Sequence, residues 1–91
     1  MTDDPTLSEL RERISRIDHA IVEAVNDRLE LVAQIKAYKE SKGIGFLDPK
    51  REEEMLAALA SANRGPLSEE GVQVLLQTIL DLSKREVGHG D

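Results

Sequence analysis

Ninety-one residues without a cysteine make one small domain at most and exclude both a disulfide framework and a thiolate zinc site. A formal net charge of −6, from 18 Asp+Glu against 12 Lys+Arg, with one Phe, one Tyr and no Trp, excludes the basic footprint and stacking residues of a nucleic-acid binder. Two His residues, one of them in Gly88-His89-Gly90, are too few for a metal site.

The opening Met1-Thr2-Asp3-Asp4-Pro5 is acidic and has no apolar run behind it. It predicts no signal peptide, no stretch reaches membrane-spanning length, and a cytoplasmic protein without a membrane partner is expected. Thr6-Leu7-Ser8-Glu9 reads as a capping box, with Thr6 as N-cap and Glu9 as N3. Leu7, Leu10, Ile14, Ile17, Ile21, Ala24, Val25, Leu31, Val32 and Ile35 then recur at helical spacing, and no Pro or Gly interrupts until Gly43. This predicts a first helix roughly 50 Å long at 1.5 Å per residue. Gly43-Ile44-Gly45 reads as a loop. Asp48 as N-cap and Pro49 at N1 open a second helix, whose apolar side is Met55, Leu56 and Leu59. Asn63-Arg64-Gly65-Pro66 stops it, and Ser68 followed by Glu69 and Glu70 opens a third that carries Val72, Leu75, Leu76, Ile79, Leu80 and Leu82 toward Gly88. The fold class is therefore all-α: one long N-terminal helix and two shorter ones, in a single domain over residues 1–91.

A globule of this size has a radius of gyration of about 12 Å. A helix of roughly 50 Å cannot fit inside it, and two short helices cannot cover its apolar stripe. Self-association through the long helix, with two-fold symmetry, is the economical solution. A plain coiled-coil dimer is the bland alternative.

On a wheel of about 100° per residue with Leu10 at zero, the stripe fills an arc of roughly ±60°. Arg28 falls at about 0° and Lys39 at about 20°, about 16 Å apart along the axis. Either alone could be a structural ion pair or a side chain snorkelling to an edge. Together, on a face where an unpaired charge costs several kcal/mol, they suggest one anionic ligand between them. On the second helix Asp48, Arg51 and Glu52 share the side of Met55 and Leu59. Asp48 can be simply a cap and Glu52 a partner of the helix dipole, whereas Arg51 opposes that dipole and makes more sense if it faces an anion. On the third helix Ser83 lies about 40° from Ile79, where a serine usually bonds the carbonyl four residues back, and Glu86 falls near the centre of the same face. Arg11 sits on the rim of the stripe, roughly 25 Å from Arg28 along one helix. In an antiparallel dimer crossing near Ala20 and Ile21, Arg11 of one chain approaches Arg28 of the other, giving two sites built by both chains.

Leu10-Arg11-Glu12-Arg13-Ile14 with Ile17-Asp18, Asp27-Arg28 with Glu30-Leu31, Lys39, and Asp48-Pro49-Lys50-Arg51-Glu52 resemble, in order and over nearly the whole chain, the all-helical chorismate mutases. The wording of Asp48 to Leu56 is similar to the mutase domains joined to bacterial aldol synthases of the shikimate pathway. The resemblance implies an intertwined antiparallel homodimer with shared active sites that converts chorismate to prephenate, in the branch toward phenylalanine and tyrosine. It implies neither cofactor nor metal, because a Claisen rearrangement needs orientation and electrostatic preorganisation only. Carried onto this sequence, Arg28 and the partner chain's copy of Arg11 hold the two substrate carboxylates, and Lys39 donates to the breaking ether oxygen. Asp48 and Glu52 hold the ring-hydroxyl end, and Arg51 and Ser83 add polar contacts around a carboxylate. One position departs: the family usually carries Gln or Glu four residues after the serine as a second donor to the ether oxygen, and here that place is Val87, with Glu86 one residue earlier. Glu86 could donate there only when protonated. Rival readings are an amino-deoxychorismate mutase, an isochorismate pyruvate-lyase, a weakly active module docking on an aldol synthase, and a non-enzymatic helical dimer.

Overall fold

The computed structural model describes residues 4–88. Helix α1 spans Pro5–Lys42, α2 Pro49–Ala62 and α3 Glu69–Ser83, and a π-helical turn, Lys84–Gly88, continues α3. The all-helical, three-helix expectation holds. None of these helices is long and apolar enough to cross a membrane.

Each start follows from a short polar side chain that satisfies orphan amides. Asp48 Oδ1 accepts from Arg51 N at 3.1 Å and Ser68 Oγ from Gly71 N at 2.9 Å. The first start differs from the sequence expectation. Asp4, not Thr6, is the N-cap, with Oδ1 accepting from Thr6 N at 2.8 Å and Leu7 N at 3.2 Å. Pro5 explains the shift, since proline at N1 has no amide to leave unsatisfied and has φ preset for the helix. Asp4-Pro5 thus repeats the Asp48-Pro49 device. Helix α1 ends at Gly43, whose φ of 70° takes the left-handed conformation that a Cβ disfavours.

Helix α1 is a spine of about 57 Å, and the whole chain extends 61 × 28 × 16 Å with a radius of gyration of 17.3 Å. Helices α2 and α3 pack on each other, and α3 with its π turn packs on the C-terminal half of α1. No close backbone approach joins α1 to α2 among the described residues. The gap between them, bridged by the 43–48 loop, is where the cavity lies.

The core is correspondingly thin. Val72, Leu76 and Leu80 are the buried apolar residues among those described, while Leu7, Leu10, Ile14, Ile17 and Ile21 stand 45–59 % exposed. Among the described residues, the N-terminal half of α1 lies against nothing in its own chain.

Candidate active site

The cavity, about 270 Å³, is lined by α1, the 43–48 loop, α2 and the end of α3. Its apolar walls include Leu31, Val32, Ile35, Met55 and Leu80. Its polar lining brings together Arg28, Lys39, Asp48, Arg51, Glu52, Ser83 and Lys84. Four of these are cations and two are carboxylates, so the cavity is positive in a chain whose formal charge is −6. A dry-walled pocket with a small number of convergent polar groups is the usual form of a small-molecule site.

Arg28 and Lys39 reach the cavity because the helical repeat puts both on the stripe that faces α3 and the loop. Arg28 Nη1 donates to Ser83 Oγ at 2.6 Å. The Ser83 hydroxyl in turn donates to Ile79 O at 3.0 Å. A hydroxyl has one proton, so once it is committed to Ile79 the oxygen offers a lone pair to the guanidinium. Ser83, only 6 % exposed, therefore orients Arg28 and leaves the remaining guanidinium N–H groups for an anion. As placed, Ser83 reaches a ligand through Arg28. Ser83→Ala should lower kcat/KM about tenfold, the effect of one charge-assisted hydrogen bond, and should also lower the melting temperature by several degrees, because the same bond ties α1 to α3 in the unliganded chain. An unchanged kcat/KM would remove this role.

Lys39 Nζ donates to Phe46 O at 3.2 Å, which leaves two of its three N–H bonds for a ligand. The loop is held there by a close approach, for a Cβ on Gly88 would stand 2.9 Å from Phe46 Cε2. The glycine lets the aromatic ring lie against the π turn. Asp48 caps α2 through Oδ1, so its other oxygen can still face the cavity. Arg51 and Glu52 follow on the first turn of α2.

Three expected residues, Glu86, Val87 and Arg11, lie outside the lining of this cavity, and one unforeseen charged residue lies within it. Glu86 does not sit on the apolar face. It is exposed, and its Oε2 accepts from Arg85 Nε at 3.1 Å. The cause is the π turn, in which each turn takes more residues than in an α-helix. Positions after Ser83 therefore lag behind a wheel of about 100° per residue. Glu86 rotates off the face, and Val87, half-buried, rotates toward it. Arg11 is exposed near the other end of α1, roughly 25 Å from Arg28 by helical rise. Lys84 is the addition: it lines the cavity, and its Nζ stands 3.4 Å from Glu52 Oε2. On the wheel it falls at the flank of the third helix, and only the packing of α2 against α3 brings it to Glu52.

Residues 10–87 match the family described as chorismate mutase type II. Two solved structures from Thermus thermophilus share the fold. Chorismate mutase form I is 35 % identical with a TM-score of 0.84, covering 86 % of this chain and 98 % of that one. Form II is 32 % identical with a TM-score of 0.89, covering 94 % and 98 %. The T-protein of Enterobacter agglomerans is 38 % identical over 52 residues, which are 57 % of this chain but only 14 % of that protein's length. The family match runs from the stripe of α1 into the π turn and so contains every residue that lines the cavity; on that extent this chain belongs to the chorismate mutase type II family.

Proposed function

We propose that the cavity between α1 and α2 is where this mutase rearranges chorismate to prephenate, and that it works as a homodimer in which each site is completed by the partner chain. The observation that carries the reading is the cluster of Arg28, Lys39, Arg51 and Lys84 around apolar walls in an acidic chain. Chorismate is a flexible dianion, and its pericyclic rearrangement passes no proton and forms no covalent intermediate with the enzyme. The protein must hold the carboxylates so that the two reacting carbons meet in a chair-like arrangement, and it must stabilise negative charge growing on the ether oxygen. Arg28, braced by Ser83, suits a carboxylate because its fork can bind two oxygens at once. Lys39, with two N–H bonds to spare, suits the ether oxygen. Asp48 and Glu52, at the other side of the cavity, suit a ring hydroxyl that donates.

Dimerisation is supported by two bare apolar surfaces. One is the stripe of Leu7, Leu10, Ile14, Ile17 and Ile21. The other is a groove of about 280 Å³ between α2 and α3 that includes Leu59, Leu67, Leu75 and Ile79. Covering a half-exposed Leu or Ile contributes on the order of 1 kcal/mol, so burying these surfaces in a dimer adds substantially to what the small intrachain core supplies. An antiparallel pairing also carries Arg11, which has no role in its own chain's cavity, toward the partner's Arg28.

Incubation of the purified protein with chorismate, followed by loss of its ultraviolet absorbance and appearance of prephenate, tests the activity. Sedimentation equilibrium at micromolar concentration should give the dimer mass, and a folded monomer would remove the shared site. Val87 stands where the family usually places a second donor to the ether oxygen. Val87→Gln is therefore expected to raise kcat at saturating chorismate, whereas Glu86→Gln, on an exposed side chain, should leave it unchanged.

A further inference from the structure

Lys84 has no role in the assignments above, yet it is one of the four cations in the cavity. Its ammonium stands 3.4 Å from Glu52 Oε2, and both side chains are only partly exposed, at 37 % and 29 %. The pair joins two elements, the π turn after α3 and the first turn of α2. The Glu52 Oε1 atom accepts no hydrogen bond from the chain among the described residues and is left for a ligand. Lys84 is also the first residue of the π turn, where the backbone changes from the α to the π repeat, a feature often found at functional sites.

A carboxylate whose charge is already matched by an ammonium can accept a hydrogen bond from a neutral hydroxyl. It has little attraction left for a second cation, which would also meet Lys84 itself. From this geometry we infer that Lys84 is a positioning and specificity-determining residue. It holds Glu52 as an acceptor for a neutral ring hydroxyl and makes the site reject a substrate carrying an amine at the same carbon. The inference rests on the reading that Glu52 meets the hydroxyl end of chorismate. No bond is made or broken by Lys84; it acts through the charge and orientation of Glu52.

The test compares chorismate with 4-amino-4-deoxychorismate, the analogue bearing an amine in place of the hydroxyl, using KM for the first and the competitive inhibition constant for the second. In Lys84→Met, which keeps the apolar stem, the ratio of the two constants should shift about fivefold toward the amine, the upper end of the scale of one partly exposed ion pair. Lys84→Arg should keep the preference of the unaltered enzyme. In a Glu52→Gln background Lys84→Met should no longer move the ratio. Lys84→Gln serves in place of the methionine variant if that chain does not fold. An unchanged ratio in both Lys84→Met and Lys84→Gln, or a shift that persists without the Glu52 carboxylate, would overturn the inference, the second outcome by showing that Lys84 acts on substrate directly. Absence of chorismate turnover in the unaltered chain would instead overturn the mutase reading, and the Lys84 role with it.

Discussion

Lys39→Ala is expected to lower kcat by about 100- to 1,000-fold with KM little changed. The magnitude is that of removing one preorganised donor, about 3–4 kcal/mol. The kinetic signature follows from the proposed role, because negative charge on the ether oxygen exists only on the way to the transition state. The same geometry predicts a different signature for Arg28→Ala. A carboxylate is charged in the ground state as well, so Arg28 contributes to binding before it contributes to rearrangement. Its loss should raise KM as well as lower kcat, with about 3 kcal/mol or more lost in kcat/KM. Steady-state kinetics on the two variants decide the assignment. Equal rises in KM with kcat intact would place both cations on ground-state carboxylates and leave the ether oxygen to another group.

Mixing Arg11→Ala chains with Arg28→Ala chains should restore activity that neither variant has alone. Each homodimer carries two defective sites. A mixed dimer carries one site with both arginines and one with neither. After random exchange half the dimers are mixed, so about one quarter of the unaltered activity per chain is expected for a two-fold dimer with two sites. The prediction comes from distance. Arg11 and Arg28 are separated by 17 positions on one straight helix, roughly 25 Å, which no single small ligand spans. If mixed dimers form, as shown by mass-tagged chains, and activity stays at the homodimer level, Arg11 serves no partner site.

The sequence by itself determined the elements and one face of the site. Asp48-Pro49 and Ser68 named two helix starts correctly, and Gly43 named the end of α1. The signals are local: a cap and its amides are three residues apart, so no tertiary contact can change them much. The Asp4-Pro5 cap was equally legible, and the capping-box pattern at Thr6 concealed it. The 3.6-residue repeat likewise put Arg28 and Lys39 on the apolar stripe, because a regular helix fixes the bearing of each side chain from its spacing alone.

Tertiary structure decided what those charges face. Ser83 meets Arg28 from 55 positions away. Phe46 turns its carbonyl to Lys39 because the 43–48 loop folds back, with its ring against Gly88. Lys84 meets Glu52 because α2 and α3 pack side by side. Each of these contacts depends on the relative placement of two elements, about which periodicity within either one carries no information. At Glu86 the wheel misplaced the side chain for a further reason. The α repeat it assumes ends at Ser83, and the π turn that follows brings Val87 toward the apolar face and leaves Glu86 in solvent.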